Sequence, residues 1–330
     1  MTNLNHTFGT DPEAFIFKEL KRDTKLGLIP NIIPPIALVK DYGAQYKNIK
    51  GKKVLIIEDE FQWSEDGAAI ELQMQPTDNK DTFWTRLQTA KNRLSNFLQT
   101  YELSATGHTP VGFFDTKKYW KNRDEEFQSC VIFGCDPDMF PSQYIKLKLE
   151  SFKENKELNV SNHKYRYGGG HIHIQAPKNN PEIYEKNWQE ASILFDFFAG
   201  LSYIINKNTP NITTLELFRL KYYGKPGRIR LQRYSIKPKI LGIEYRVLPN
   251  TWTNNKEITE KLLTALDISA GIVEQNKAQN FVKEFEKEIP KMYLTLLTLD
   301  KKTAKKLFRR CLEWTLRNRL ASATQLEKLF

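Results

Sequence analysis

The chain has 330 residues, of which 40% are hydrophobic and 27% are charged, the composition of an ordinary globular protein. Its mean hydropathy is −0.55, and no apolar run approaches the roughly 18 residues that a membrane-spanning helix needs. The formal charge of +11 is compatible with anionic ligands such as nucleotides or nucleic acid, and we expect no membrane partner.

The cysteines and the first residues of the chain indicate a compartment. Cys130, Cys135 and Cys311 form a sparse, odd set without CxxC spacing, which argues against a disulfide framework and against a zinc site. The first fifteen residues lack both a basic segment and an apolar segment, so we expect no signal peptide. A cytoplasmic location fits these features best.

Apolar periodicity predicts both strands and helices. In chain order, we expect strands at 7–17, 53–58 and 66–74, a helix at 82–101, strands at 129–134 and 166–176, a helix at 186–206, strands or strand-edged loops at 215–222, 228–234 and 241–248, and helices from Lys256 onward with a break near Pro290. The long polar stretches 18–50 and 115–128 are expected to be lids or insertions.

This order of elements predicts an α+β fold with a helical C-terminal region. We expect residues 1–255 to form a catalytic domain, and residues 256–330 to be a helical extension packed on that domain.

Functional side chains recur two residues apart in the expected strands. The pairs are Asp11/Glu13, Glu71/Gln73, His171/His173, Arg228/Arg230 and Glu244/Arg246. Residues at i and i+2 of a strand point to the same face. We therefore expect one face that concentrates carboxylates, imidazoles and guanidinium groups. Each pair alone has an ordinary interpretation as a turn, a surface charge or a salt bridge.

The histidine pair is the strongest of these signals because it follows three consecutive glycines, Gly168 to Gly170. Carboxylates with an imidazole can hold Mg²⁺ or Mn²⁺, and arginine forks bind phosphate oxygens. Metal and arginine together are typical of phosphoryl transfer. The chain has no P-loop, no protein-kinase signature set and no GxSxG nucleophile motif.

Six short motifs occur in an order that resembles a known superfamily. They are Gly9–Glu13, Asp66–Glu71, Gly134–Asp138, Arg166 with Gly169–His173, Tyr223–Arg230, and Gly242–Arg246 with Asn250 and Trp252. This set resembles the glutamine synthetase and glutamate–cysteine ligase superfamily, and most of all its phage-associated carboxylate–amine ligases (amidoligases, type 2).

The resemblance implies a curved antiparallel sheet that forms a funnel backed by helices. It implies an ATP-dependent ligase that joins a carboxylate to an amine through an acyl phosphate and releases ADP and phosphate. The cofactors would be ATP and Mg²⁺ or Mn²⁺, and the substrates a small-molecule or peptide carboxylate and an amine. If the chain is encoded by a phage, its location would be the host cytoplasm.

The resemblance also assigns roles. The implied metal ligands are Glu13, Glu71, His171 and Glu244, with Asp11 assisting. The implied nucleotide-binding residues are His173, Arg166, Gly169, Gly170 and Tyr223. The implied catalytic residues at the transferred phosphate and the substrate carboxylate are Arg228, Arg230, Arg246 and Glu244. Asp136 and Asp138 are either substrate or metal contacts, or parts of a turn.

Three other functions use similar residues. A metal-dependent nuclease or phosphotransferase would need the same carboxylates and histidines but no ATP. A nucleic-acid-binding protein would use the positive charge, yet converging carboxylates would repel phosphate unless a metal intervened, so nucleic acid is the less favoured partner. A ligase-like scaffold without activity would not need the full set of carboxylates and histidines.

The basic segment 301–310 is interpreted as a solvated helical face, with a polyanion site as the alternative.

Overall fold

The computed structural model describes residues 3–49, 52–107, 109–119, 127, 139–141, 163–207, 210–233 and 240–329. The strands are β1 (Asn3–Thr10), β2 (Glu13–Asp23), β3 (Gly27–Ile32), β4 (Lys47–Ile49), β5 (Lys52–Ile57), β6 (Phe61–Asp66), β7 (Ala69–Met74), β8 (Thr77–Asn79), β9 (Ser104–Thr106), β10 (Val111–Phe113), β11 (Tyr165–Tyr167), β12 (Ile172–Gln175), β13 (Ile229–Arg233) and β14 (Ile240–Tyr245).

The helices are α1 (Pro35–Lys40), α2 (Lys80–Gln99), α3 (Thr116–Tyr119), α4 (Ile183–Phe195), α5 (Leu201–Asn206), α6 (Pro210–Leu220), α7 (Lys256–Glu274), α8 (Ala278–Glu284), α9 (Ile289–Thr298), α10 (Lys301–Arg317) and α11 (Ala323–Glu327). A π-helical turn, Asp196–Gly200, joins α4 to α5, and a 3₁₀ turn, Asn250–Asn254, precedes α7. These elements confirm the predicted α+β class and the helical C-terminal region. Across the described ranges, no helix has the length and apolar character that crossing a membrane requires.

The strands form two sheets. One has the order β13-β14-β12-β1-β8, and the other has the order β11-β10-β3-β2-β7-β6-β5-β4, with β9 paired to β2. All pairings are antiparallel except that of β10 with β3. The chain passes from the first sheet to the second between β1 and β2, at Asp11 and Pro12, so the two sheets meet there.

Helices bury the faces of the sheets that point away from this junction. Helix α2 carries the apolar stripe predicted from the sequence, with Phe83, Leu87 and Leu94 buried. Helix α7 packs on β1 and α4, and it is tied to the sheet by His6, whose Nδ1 lies 2.7 Å from Oδ1 of Asp267. The main hydrophobic cluster includes residues from β1 through α11, so the C-terminal helices contribute to the same core as the sheets.

Two sequence predictions are wrong. Residues 215–222 were expected to form a strand or strand-edged loop, but α6 extends to Leu220. The buried positions of this helix, Leu215, Glu216, Arg219 and Leu220, follow a helical stripe in which two of the four residues are charged, so apolar periodicity did not reveal it.

The stretch 18–50 was expected to be a lid or insertion. It contains the end of β2, all of β3 and helix α1. Residues 18–22 of β2 are exposed, so this part of the strand has no buried, apolar alternation to mark it in the sequence. The expected strand 129–134 and the motif residues Asp136 and Asp138 lie outside the described residues, as does most of 115–128.

Candidate active site

The candidate site lies at the junction of the two sheets, where cross-strand pairing brings its residues into register. On one sheet, His173 pairs with Glu244, which also pairs with Arg230 on the next strand. On the other sheet, Glu13 pairs with Glu71. The predicted polar face therefore forms, although Asp11, His171, Arg228 and Arg246 lie just outside the strand ends.

Asp11 and the two histidines form the centre of the site. Nε2 of His173 lies 3.0 Å from Oδ2 of Asp11, and Nδ1 of His171 lies 3.4 Å from Oδ1 of Asp11. Nδ1 of His171 also lies 3.3 Å from Oε1 of Glu244. Asp11, His173 and Glu244 can each offer one ligand atom within 4.8 Å of the other two. Their burial and mutual distances make these three residues a candidate metal triad.

A second layer of contacts holds Glu13 against the same group. Its Oε2 accepts a hydrogen bond from the backbone N–H of Gly169 at 2.8 Å. The hydroxyl of Tyr223 lies 3.3 Å from Oε1 of Glu13 and 3.0 Å from Nε2 of His171. Tyr223 therefore contacts the proposed metal ligands directly, whereas the sequence placed it among the nucleotide-binding residues.

The arrangement fits a divalent cation. Oδ1 of Asp11, Nδ1 of His171 and Nε2 of His173 are buried and lie in close ion-pair contact, yet none of them has a hydrogen bond of good geometry. Such atoms are costly unless something else satisfies them. A set of carboxylate oxygens with imidazole nitrogens is a donor set for Mn²⁺ or Mg²⁺. The roles of the individual ligands stay predictions.

A cavity of about 610 Å³ opens from this centre. Its lining is polar and charged, and comprises Thr10, Asp11, Lys52, Asp66, Glu71, Gln73, Met74, His173, Arg230 and Gln232. Nζ of Lys52 lies 3.1 Å from Oε2 of Glu71, so a lysine already balances part of the negative charge on this wall. A volume of several hundred Å³ is typical of a small-molecule site.

The arginines differ in position. Nε of Arg230 donates to Oε2 of Glu244 at 2.7 Å, and its side chain borders the cavity. Arg246 is buried and bonds to Oε1 of Glu244. The guanidinium group of Arg228 lies 5.2 Å from the centre of the Phe140 ring, and Arg228 is not among the described residues that line the cavity. Arg230 is therefore the best placed of the three to contact an anion there.

Burial and the repulsion between neighbouring carboxylates raise the pKa values of two acids in the site. Burial, with the charges of Asp66 and Glu71, raises the pKa of Glu13 to about 8. Burial, with Asp11 and Asp66, raises the pKa of Glu71 to about 7.

The pKa values of Asp11 and His173, which contact each other at the centre of the site, shift in opposite directions. Burial alone would raise the pKa of Asp11, but the neighbouring His173 and His171 outweigh it and hold that pKa well below its usual range. Burial lowers the pKa of His173, but Asp11 outweighs it and raises that pKa to about 8. Without metal at neutral pH, the site therefore contains an ionised Asp11 beside a protonated His173, with Glu13 mostly protonated.

The triple glycine allows close approach of the backbone. A Cβ atom on Gly169 would lie 2.3 Å from Nε2 of His171, and one on Gly170 would lie 2.4 Å from Nε1 of Trp252. None of the three glycines has a positive φ, so the requirement is for space. Gly169 and Gly170 thus position Glu13 and the Asn250–Asn254 turn.

Arg166 lies away from the cavity. Its NH1 donates to the carbonyls of His163 at 2.6 Å and Tyr165 at 2.8 Å, and its guanidinium group lies over the Phe114 ring at 4.4 Å. These contacts order the backbone before the glycines. A direct role of Arg166 in nucleotide binding stays a prediction.

Sequence reasoning missed several residues that build the site. Lys52 and Arg219 stand in no functional pair, so local spacing could not identify them, whereas Gln232 continues the two-residue spacing of Arg228 and Arg230 and could have been included. Asp66 begins the motif Asp66–Glu71, and its place in that motif was the signal that could have identified it as a site residue. Arg219 is buried, and its three side-chain nitrogens each donate at 3.0 Å to the carbonyls of Gly168, Val247 and Leu248. It thereby fixes the loops that carry His171 and Arg246.

Asp196 in the π-helical turn plays a similar part. Its carboxylate accepts from the backbone N–H of Gly227 at 2.6 Å and from the hydroxyl of Tyr245 at 2.8 Å. Burial raises its pKa to about 8. The π-helical turn, which the sequence pattern did not reveal, thus supports the end of Glu244's own strand, β14, and the segment that leads into β13.

Comparisons with known proteins give structural likenesses of low identity. No family model matches the chain, and no curated protein sequence matches it significantly. The structure is similar to glutamine synthetase from Plasmodium falciparum, with 11% identity and a TM-score of 0.40, over 84% of this chain and 53% of that one. It is also similar to a protein described as a novel glutamine synthase homolog, with 12% identity and a TM-score of 0.38, over 95% of this chain and 68% of that one. The chain thus spans about half the length of the Plasmodium enzyme, and likeness at this identity concerns the fold alone.

Proposed function

We propose that this chain is an ATP- and divalent-metal-dependent ligase that joins a carboxylate to an amine, with release of ADP and phosphate. The observation that carries the proposal is the meeting of two kinds of group at one cavity: the closely packed acid and imidazole groups of Asp11 and His173, and the guanidinium-bearing Arg230 in the same lining. The ordered motifs of the sequence support the same reaction.

The metal-binding part would comprise Asp11, His173 and Glu244, with Glu13, Glu71 and His171 close by. A bound Mg²⁺ or Mn²⁺ would neutralise the phosphate oxygens of ATP and orient them. The chain's own residues prepare that site. Gly169 and Tyr223 orient the carboxylate of Glu13, and Arg230 and Arg246 orient that of Glu244.

The chemistry requires activation of the carboxylate, because a free carboxylate and an amine do not form an amide at neutral pH. A carboxylate oxygen attacks the γ-phosphorus of ATP, and the bond from that phosphorus to the β–γ bridging oxygen breaks, which releases ADP. The amine nitrogen then attacks the acyl carbon, the C–O bond to phosphate breaks, and the nitrogen loses a proton. Arg230 would neutralise the charge of the transferred group, because this residue borders the cavity.

The test of this proposal is untargeted with respect to the substrates. The full chain is incubated with ATP, Mg²⁺ or Mn²⁺, and pools of carboxylates and amines. We expect ADP release that depends on a carboxylate and an amine, and a product whose mass equals both reactants minus water. Hydrolysis of nucleic acid or phosphate esters without ATP would instead identify a metal-dependent nuclease or phosphotransferase.

A further inference from the structure

A second pocket, of about 200 Å³, lies between helix α2, strand β2 and the Asn250–Asn254 turn. Its lining shares no residue with that of the 610 Å³ cavity, although Glu13 of the neighbouring cluster borders it. It opens to solvent beside Asn92 and Ser95, which are exposed on α2. A small molecule can therefore enter it from outside.

Lys91 brings a positive charge to this pocket, whose lining also includes the carboxyl group of Glu13. Its Nζ donates to the carbonyl oxygen of Thr253 at 3.2 Å and to the side-chain oxygen of Asn254. Both acceptors are neutral, and among the described residues no carboxylate forms an ion pair with Lys91. Burial lowers the pKa of Lys91 to about 8, so the ammonium form still dominates at neutral pH.

An ammonium group has three donors, and two of those of Lys91 are used. A half-buried charge is normally paired, because leaving it unpaired costs free energy. An anion that reached Nζ from the pocket would supply this partner.

The rest of the lining restricts the kind of anion. Ala14, Trp63 and Leu94 give an apolar wall, while Ser95 and Thr253 lie on the polar side with Lys91. Inorganic phosphate would lose hydration against the apolar wall and gain little there. An organic anion with one charged end and an apolar body matches both sides.

We propose that this pocket binds a small organic carboxylate, with its carboxylate group accepting a hydrogen bond from Nζ of Lys91 and its apolar part against Trp63 and Leu94. The proposal concerns a site apart from the active-site cavity and does not depend on the ligase reaction.

Benzoate is a suitable probe, with benzamide as its neutral counterpart and inorganic phosphate as the purely polar anion. Binding to the full chain is measured by calorimetry, and the indole N–H resonance of Trp63 reports occupancy, since this group donates to the carbonyl of Ala90 at 2.9 Å beside the pocket. Benzoate should bind and shift that resonance. Benzamide should bind about tenfold more weakly or worse, because it loses a charge-assisted hydrogen bond. Phosphate should leave the resonance unchanged.

Two variants and a matched control locate the site. Lys91→Met should lose benzoate binding by at least about tenfold, as expected for one charge-assisted contact. Ser95→Phe should block the mouth of the pocket and give a similar loss. Lys80→Met is the control, because Lys80 lies on the same helix, is also partly buried and bonds to Thr264 at 2.8 Å outside the pocket.

The control variant should bind benzoate as the wild type does. The proposal is overturned if wild-type protein does not bind benzoate, if benzamide binds equally well, or if Lys91→Met and Ser95→Phe, folded as judged by circular dichroism, both keep wild-type affinity. Phosphate that competes fully with benzoate would also overturn it, since the site would then be a simple anion site.

Discussion

The imidazole of His173 lies against the carboxylate of Asp11, with 3.0 Å between Nε2 and Oδ2. His173 belongs to β12, whereas Asp11 lies in the short connection from β1 to β2. The contact therefore lies within the first sheet, beside the point where the chain passes to the second sheet. Because it places an imidazole and a carboxylate beside Glu244, it also forms the core of the proposed metal site.

Removal of one carboxylate charge should separate metal binding from folding. Glu71→Gln should abolish the thermal stabilisation that Mg²⁺–ATP or Mn²⁺–ATP gives to the wild type, because stabilisation by a ligand requires binding to the folded state. The metal-free variant should be as stable as the wild type, since burial and neighbouring acids disfavour the charge of Glu71. Differential scanning fluorimetry measures both effects.

The control for that variant is Glu58→Gln, because Glu58 is exposed and pairs with Arg93 at 3.0 Å outside the cavity. It should keep the full stabilisation by metal and ATP. If Glu71→Gln responds to metal and ATP as the wild type does, Glu71 is not a metal ligand.

Metal affinity should rise with pH. The pKa values of Glu13 and Glu71 are raised to about 8 and about 7, so both groups must lose protons before they can bind a cation. The apparent affinity for Mn²⁺ should increase by up to about tenfold per pH unit for each proton released, and should level off above the higher pKa. Calorimetry in buffers of different ionisation enthalpy measures the protons released.

The same raised pKa values make the metal-free folded protein less stable as the pH rises. A carboxyl group with a raised pKa stabilises the folded state fully at pH values below its ordinary pKa of 4.5, and this contribution is lost as the pH rises through about 7 and 8. Metal should therefore stabilise the protein more at pH 8 than at pH 6. A Mn²⁺ affinity that does not change across this interval would contradict the protonation states assigned to the site.

Arg230 should contribute to turnover more than to binding. Arg230→Ala should reduce kcat by on the order of 10² to 10³, by analogy with the loss of one preorganised contact to a transition state. Its effect on KM for the carboxylate should be smaller. Arg93→Ala, on an exposed face, is the matched control. An unchanged kcat for Arg230→Ala would remove this arginine from the reaction.

The basic helix α10 allows a test of the polyanion alternative. Lys301, Lys302, Lys305 and Lys306 are exposed on it, as expected for a solvated face. Replacing all four by glutamine should leave turnover on small substrates unchanged. If a nucleic acid binds this face, the slope of log affinity against log salt should fall by roughly one unit for each phosphate that the lysines no longer neutralise. A change in small-substrate turnover would contradict both interpretations.

The sequence predicted much of the site because strand alternation is a local rule. Glu71 and Gln73, both on β7, needed only a period of two to be placed on one face. The register that sets Glu244 beside Arg230 on the neighbouring strand came only from the structure. The polar faces of the two sheets come together because the sheets meet between β1 and β2. The sequence implied this meeting only through the resemblance of its motifs.

The parts that the sequence did not predict depend on long-range contacts. Lys52 reaches Glu71 from a neighbouring part of the sheet, and Arg219 reaches three carbonyls from helix α6, which was itself expected to be strand-like. No spacing rule marks such residues, because their partners are distant in the chain. Nor does local pattern distinguish Arg230, which borders the cavity, from Arg228, which lies over Phe140.

The most direct test of the proposed reaction follows the oxygen atoms. Once a carboxylate and an amine substrate are identified, the carboxylate is labelled with ¹⁸O and the reaction is run with ATP and Mg²⁺ or Mn²⁺. An acyl phosphate transfers one carboxylate oxygen to the leaving group, so we predict ADP and ¹⁸O-labelled inorganic phosphate, observed by mass spectrometry and by the isotope shift in the ³¹P spectrum. The appearance of AMP and pyrophosphate, or of unlabelled phosphate alone, would contradict the account.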